Sequence, residues 1–434
     1  MGFEASSDFS TMSLRRYVNL VMANHDQGIY SLRRLNNDNF FYPAKEAAAK
    51  ARDLPRLKRV PQNALSSWID PKKKQAAALT DKQLESTLKP PPPIFSLRPS
   101  TCPVTKGDWN RLHSFPLSGT KIFFADSGKR TTLYDTKARC SISTPCLHAP
   151  KKLPVALSVP SPEGPEGEQD QDGGSLYIMD TLLDEMNATP FEALIWRNCA
   201  GGHYLITHKS WHCDALPRPP FFDHRPDEPT SVQSYAVVGN IICVSVNGHG
   251  TYCFDTVSQK WSMAGDWQMP FSGKAEYVPE LKLWFGASAG NHQLPCAADL
   301  SPILRGHAPK KQQHYVWGDP HVPAEWLPNL FNPAKIVSLG SGRFCIINFF
   351  QDMGGRPPSM DGLSASDGSP IVVFSGLEVL AGNGNGSSSS SSSDSDKDSC
   401  NDKGNGNGLR MIKHKSRLCV CKLANIHYSL ESVL

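Results

Sequence analysis

The chain has 434 residues, 39% of them hydrophobic, with 45 basic against 41 acidic side chains and a net charge of +4. That apolar content excludes wholesale disorder, and the near-neutral balance argues against a dedicated nucleic-acid binder. The length suggests two or three domains or one large closed repeat.

Residues 1–13 read as a flexible leader, without the basic and apolar regions of a secretory signal. Apolar runs begin at Tyr17–Met22 and Gly28–Leu32 and read as strands. Pro43–Asp53 is the one convincing helical segment, Ala-rich with proline in its first turn. The first hundred residues carry 16 basic and 9 acidic side chains, the excess lying in Arg56–Arg59 and Lys72–Lys74. A solvated linker accounts for that excess more simply than an import signal or a nucleic-acid patch. Residues 61–100 end in four prolines, Pro90–Pro93, and read as a linker or long loop.

Further short runs follow at Lys121–Ala125, Leu176–Met179, Ile241–Val246, Leu281–Gly286, Phe344–Phe350, Ile371–Phe374 and Leu418–Leu423. Each is bounded by turn residues, so the fold class is all-β. Residues 161–174 are acidic and turn-rich, and 381–408 are almost wholly Gly, Asn, Ser and Asp. Such segments cannot bury enough surface to offset chain entropy, so both read as disordered loop insertions. Beyond 408 the pattern turns apolar and alternating again, as it would if the insertion sat at a hairpin tip. No run reaches eighteen apolar residues, which argues against a membrane-spanning helix. The twelve cysteines read as reduced thiols, giving a cytoplasmic or nuclear setting.

A strand ending in an acid and a hydroxyl recurs. It appears as Leu133-Tyr134-Asp135-Thr136, Tyr177-Ile178-Met179-Asp180-Thr181 and Tyr252-Cys253-Phe254-Asp255-Thr256, with a looser copy before Asp299. Aspartate in this position accepts from backbone N–H groups beyond it and fixes a tight turn, while the aromatic packs between sheets. Asp135 and Asp180 lie 45 residues apart, and Asp255 and Asp299 lie 44 apart, the length of one four-stranded propeller blade. The 75 residues from Asp180 to Asp255 fit neither one blade nor two. Trp211, Trp261 and Trp267 mark a second rhythm, an aromatic followed by a proline exit. The expectation is one β-propeller over residues 14–434, of six to eight blades with seven the best figure. Arg15–Leu35 and Leu409–Tyr428 are the expected closing partners.

Several segments carry a resemblance: Arg15–Val21, Phe191–Leu194, Gly250–Thr256, Gly265–Trp267, Ala275–Leu281 and Leu283–Gly286. Together they resemble DUF1668, a family of plants and especially cereal grasses. The resemblance implies a propeller related to kelch and F-box-associated repeats. It implies no activity and no catalytic residue, and residues 1–13 lack the helical pattern of an F-box.

Cys199, His203, His208, His212 and Cys213 form the densest group of metal-capable residues. On extended chain their spacing scatters them over both faces, so no metal and no cofactor is expected. Cys419 and Cys421 share one strand face and read as buried packing. The nucleophile-elbow and phosphate-loop patterns are absent. Trp261, Trp267, Trp284, Trp317 and Trp326 read as inter-blade packing before ligand stacking. Ser391, Ser393 and Ser395 each precede an acid by three positions and suit an acidophilic kinase, or are a plain spacer. The leading expectation is a non-catalytic scaffold that binds protein partners as a monomeric ring. The rival is a propeller hydrolase or oxidoreductase with a site in its central channel.

Overall fold

The computed structural model describes residues 15–24, 26–44, 46–47, 84–99, 112–160, 174–181, 187–198, 209–223, 231–290, 294–309, 315–316, 326–329, 334–352, 369–381, 409–419, 422–423 and 426–434. Its elements are β-strands with a few 3-10 turns. Of the predicted helix, the Glu46 and Ala47 amides donate to the Pro43 carbonyl, and the rest lies outside the described residues.

In chain order the first strands are β1 (Tyr17–Asn24), β2 (Ile29–Asn36), β3 (Leu84–Leu88) and β4 (Pro93–Leu97). Next come β5 (Leu112–Pro116), β6 (Lys121–Asp126), β7 (Thr131–Asp135) and β8 (Cys140–Ser143), an antiparallel meander in that order. A second meander is β9 (Pro154–Pro160), β10 (Gly174–Asp180), β11 (Phe191–Asn198) and β12 (Lys209–Ala215). A third is β13 (Val232–Val238), β14 (Ile241–Val246), β15 (Gly250–Asp255) and β16 (Lys260–Gly265). A fourth is β17 (Phe271–Val278), β18 (Leu283–Ser288), β19 (Pro295–Ala298) and β20 (Tyr315–Val316). Then follow β21 (Trp326–Pro328), β22 (Lys335–Gly340), β23 (Arg343–Asp352), β24 (Ser369–Ala381) and β25 (Leu409–Cys419), and last β26 (Lys422–Leu423) and β27 (Ile426–Val433).

These strands make six blades among the described residues. The closing blade runs β27-β1-β2-β4, so its innermost strand comes from the far end of the chain. The four meanders follow, and the sixth blade runs β22-β23-β24-β25, with β21 also paired to β23. Innermost strands stand beside one another: β13 pairs in parallel with β17, and β9 lies against both β5 and β13. β22 lies against β17, and its Lys335 Nζ donates to the Glu431 carbonyl of β27 at 3.4 Å. Ser432 of β27 bonds Ser114 of β5, which completes the circuit.

The core confirms the ring. Middle strands such as β6 are buried along their whole length, because a neighbouring blade covers each face. The buried apolar residues separate into six clusters, each drawn from two consecutive blades. Phe123 and Leu133 meet Leu176 and Leu194, while Tyr177 and Phe191 meet Val244 and Phe254. Cys243 and Cys253 meet Phe271 and Trp284, and Phe285 meets Phe344. Leu20 and Val18 meet Phe374 and Ile347, and Val21 and Leu32 meet Ile122 and Phe124. Six blades with six shared cores form a closed β-propeller.

Three expectations are refined. The described blades number six, the lower end of the expected range: between Asp299 and Ala334 the described strands Tyr315–Val316 and Trp326–Pro328 only add edges to the fourth meander and the sixth blade. The strand that closes the ring is Ile426–Val433, paired Leu20↔Val433 and Asn24↔Tyr428 with β1; Leu409–Cys419 instead forms the outer part of the sixth blade. Residues 84–88 and 93–97, inside the stretch read as a linker, are strands: β3 lies parallel to β25 and β4 edges the closing blade. The 381–408 segment joins β24 to β25, whose last register pair is Ala381↔Leu409, so it does emerge from a hairpin end. Residues 161–173 and 382–408 lie outside the described residues, as do the basic runs at 56–59 and 72–74.

Candidate functional site

The recurrent strand ends work as follows. Asp135 Oδ1 accepts from the Lys137 and Ala138 amides at 2.7 and 2.9 Å, and Asp255 Oδ1 accepts from the Val257 amide at 2.9 Å. Asp299 Oδ1 accepts from the Ser301 amide at 2.8 Å. Hydrogen bonds from Val257 N–H and Ser258 hold the Asp255 carboxyl below its ordinary range. In each Asp–Thr pair the threonine ties two strands: its amide and hydroxyl both donate to one carbonyl. The acceptor is Thr120 for Thr136, Leu153 for Thr181 and Asn240 for Thr256.

Asp180 differs from the others. It ends β10, the second strand of its blade, whereas Asp135 and Asp255 end third strands. Its carboxylate reaches back to the Lys152 and Leu153 amides, both at 3.0 Å. The counterpart of Asp180 is therefore Asp126, at the end of β6, which accepts from the Arg130 amide at 2.9 Å. That change of strand accounts for the long 75-residue interval, and it also means that the 45 residues from Asp135 to Asp180, a third strand to a second, are not the blade length expected of them.

Tyr134 stacks on Phe95 at 4.2 Å, and Phe254 meets Phe191 edge-on at 4.9 Å. Trp211 pairs with Trp196 across β11 and β12, and Trp261 donates from Nε1 to the Pro217 carbonyl at 3.0 Å. Trp267 packs against the core between the third and fourth meanders, where its carbonyl accepts from Thr251 Oγ1. Trp284 Nε1 donates to the Val237 carbonyl, Trp326 packs on Phe350, and Trp317 lies outside the described residues.

The one group of three metal-capable side chains among the described residues is His148, Glu192 and Cys213. Glu192 sits near the start of β11 between Phe191 and Ala193 and is fully buried. His148 and Lys151 come from the connection between β8 and β9, and Cys213 from β12. The Glu192 carboxylate accepts from the His148 amide at 2.7 Å, the His148 ring at 2.8 Å, the Ala149 amide at 3.3 Å and the Cys213 thiol at 3.2 Å. Lys151, also buried, forms an ion pair with it and donates to the Thr189 and Ala149 carbonyls. Burial raises the Glu192 carboxyl, but hydrogen bonds from Lys151 and His148 outweigh it and hold the group below the ordinary glutamate range. Burial and the adjacent Glu192 push the Cys213 thiol up to about 12.

The chemistry of this cluster follows from those partners. A thiolate nucleophile needs a lowered pKa and a neighbouring cation or base; here an anion holds the thiol protonated. A divalent cation would draw on His148, Glu192 and Cys213, yet the positive charge facing Glu192 is already supplied by Lys151. The cluster is a satisfied ion pair that ties the β8–β9 connection, between the first and second meanders, to the body of the second. The metal-capable group picked out from the sequence is divided: Cys199, His203 and His208 lie outside the described residues, and His212 bonds Ser210 at 3.1 Å. Of that group Cys213 alone enters the cluster. Cys419 is buried, and Cys421 and the Ser391–Ser395 tract lie outside the described residues.

Other charges sit on the innermost strand β17 and on the outer strand β25. Lys274 and Glu276 of β17 pair at 2.8 Å, with Tyr235 opposite Lys274 on β13. Burial raises the Glu276 carboxyl, but Lys274 and Arg15 bring it below the ordinary range. His414 of β25 is buried between the Tyr42 amide and Glu378, fixing segment 40–42 against the sixth blade.

The comparison with protein families matches residues 15–420 to the model described as "Protein of unknown function (DUF1668)". The chain belongs to the DUF1668 family. No curated protein matches it. Among solved structures, the β-propeller domain of Cps50 (Swd1) from Myceliophteria thermophila aligns at 12% identity and TM-score 0.23, over 40% of this chain and 46% of that one. A structural-genomics protein of unknown function from Bacteroides thetaiotaomicron aligns at 8% identity and TM-score 0.31, over 55% and 54%. Hydrazine synthase from Kuenenia stuttgartiensis aligns at 12% identity and TM-score 0.28, over 59% and 60%. Each alignment thus spans about half of the solved chain, and the propeller assignment of this DUF1668 protein stands on its own sheets and cores. Among the described residues no helix is long and apolar enough to cross a membrane.

Proposed function

We propose that this DUF1668 protein is a non-catalytic protein-interaction scaffold. The observation that carries the reading is an apolar rim at one end of the boundary shared by the third and fourth meanders, around the Gly239–Asn240 turn. Val257 is 80% exposed, Leu304 53% and Tyr277 40%. Asn240 Nδ2 donates to Asp255 Oδ1, two residues before Val257, and Leu304 Cδ2 lies 3.6 Å from where a Gly239 Cβ would stand. Tyr277 lies two residues beyond the parallel pair Ala236↔Ala275, beside the same turn, and rests on Trp284 at 4.5 Å. Apolar side chains gathered on a rigid turn face suit a protein partner.

In this reading the Asp–Thr strand ends and the core tryptophans are structural, and residues 14–434 form one monomeric ring with insertions at 161–174 and 381–408. The setting is cytoplasmic or nuclear, supported by the buried free thiols of Cys296 and Cys345. The test is proximity labelling with the wild type, a Val257→Asp/Leu304→Asp variant, and Leu153→Asp, which alters an exposed leucine elsewhere. The reading expects a set of neighbours lost from the double variant and kept by Leu153→Asp. An unchanged set in the folded double variant refutes it.

A further inference from the structure

β14 and β15 set Cys243 directly opposite Cys253, with the two sulfurs 3.6 Å apart. The register of hydrogen bonds gives the type of pair. The Thr256 amide donates to the Asn240 carbonyl, which makes 240/256 a hydrogen-bonded pair. Pair types alternate along an antiparallel ladder, so Cys243/Cys253, three steps in, is a non-hydrogen-bonded pair. Ser245 and Thr251 share its parity, and their hydroxyls meet at 2.9 Å. In such pairs the Cα atoms stand about 4.5 Å apart, inside the roughly 4.4–6.8 Å that a disulfide spans. Side-chain rotation bringing the sulfurs about 1.5 Å closer completes a bond of about 2.05 Å.

The two thiols are not equivalent. The hydrogen bond between the two sulfurs raises the Cys243 thiol and lowers that of Cys253 in spite of its burial. Both belong to the core between the third and fourth meanders, packed with Met269, Phe271 and Trp284. Cys243 is fully buried and Cys253 is 8% exposed, so only a small oxidant reaches the pair.

We propose that Cys243 and Cys253 form a reversible dithiol–disulfide site oxidised by a small hydroperoxide. The Cys253 thiolate attacks the hydroxyl oxygen of the peroxide, the O–O bond breaks, and hydroxide leaves from hydrogen peroxide, or alkoxide from an alkyl hydroperoxide, giving a sulfenic acid on Cys253. The Cys243 sulfur then attacks that sulfur, the S–O bond breaks, and water leaves with the Cys243 proton. Two electrons pass from the sulfurs to the peroxide, and a dithiol reductant returns them.

The test uses the reduced full chain. It is treated with hydrogen peroxide, its remaining thiols are alkylated, and it is digested with trypsin without reductant. One tryptic peptide carries both cysteines, since no Lys or Arg lies between them. The site requires that peptide to appear unalkylated and lighter by two hydrogen atoms, with both thiols restored by dithiothreitol. The result must persist in a Cys140→Ser/Cys146→Ser background, which removes the two exposed thiols among the described residues. Recovery of Cys243 and Cys253 as alkylated thiols, or of Cys253 overoxidised beside an alkylated Cys243, overturns the proposal. In Cys243→Ser the sulfenic acid has no partner, so dimedone capture at Cys253 should rise on the order of tenfold. No rise in the folded variant also overturns it. Mapping of the wild type decides if that variant does not fold.

Discussion

Replacing Lys151 by methionine removes a buried ammonium while nearly keeping its volume. Glu192, with no exposed surface, then keeps its carboxylate but loses the cation that balances it. Breaking one partner of a buried pair costs about 3–5 kcal/mol, because the remaining charge is left uncompensated. At about 2.1 cal/mol/K per residue, a single transition of the 434-residue chain has an unfolding entropy near 0.9 kcal/mol/K. Tm should therefore fall by about 3–5 °C at neutral pH, read by calorimetry or by fluorescence of Trp196 and Trp211 in the same blade. The pH dependence carries a sign. In the wild type the Glu192 pKa is depressed, so its stabilisation is present above the unfolded value near 4.3 and is lost as pH falls through the folded one. In Lys151→Met the folded pKa rises, the carboxyl takes up a proton on mild acidification, and the gap to wild type narrows toward pH 4. A double variant with Glu192→Gln removes the orphaned charge and should recover part of the loss. A loss under about 1 kcal/mol, or a gap that stays constant from neutral pH to pH 4, would show that the pair does not bear on stability.

Four further outcomes are expected. At pH 8 Cys213, its pKa pushed to about 12, should resist iodoacetamide while exposed Cys140 and Cys146 react; Glu192→Gln should speed its labelling, measured by peptide mass spectrometry. Gly250→Ala should destabilise by several kcal/mol in denaturant titration, since φ is +84° and a Cβ would stand 2.3 Å from the Gly265 carbonyl oxygen. Gly248→Ala, at φ +76° with open space around it, should cost only about 1 kcal/mol. Thr136→Val keeps the backbone bond to Thr120 but loses the 2.7 Å hydroxyl bond, a cost of about 1 kcal/mol in the same titration.

Local chemistry is readable from the sequence, and non-local chemistry is not. A strand-ending aspartate declares its turn because its acceptors are the next two or three amides, as at Asp135 and Asp255. The same letters at Asp180-Thr181 sit on a second strand, and nothing within five residues reveals which strand of a blade one is reading. The closing strand escapes a local reading for a similar reason: Leu409–Cys419 and Ile426–Val433 are both apolar alternating runs, and only pairing distinguishes them. Glu192 gives one hint, an acid among Phe191, Ala193 and Leu194, but its partners His148 and Lys151 lie more than forty positions earlier. Asp126 could have been found as an acid at a strand end before the Ser127–Arg130 turn. Cys243 and Cys253 need the register of β14 on β15.

The seam where the ring closes has a consequence for the order of events during synthesis. β1, β2 and β4 leave the ribosome first, but the innermost strand of their blade, β27, is made from residues 426–433. Across that seam Asn19 and Leu434 exchange both backbone hydrogen bonds, while β3 reaches the outer edge of the sixth blade before β4 returns to the closing one. The four complete meanders between them can assemble as they emerge. The closing blade must wait, its inner edge open, until translation reaches β27.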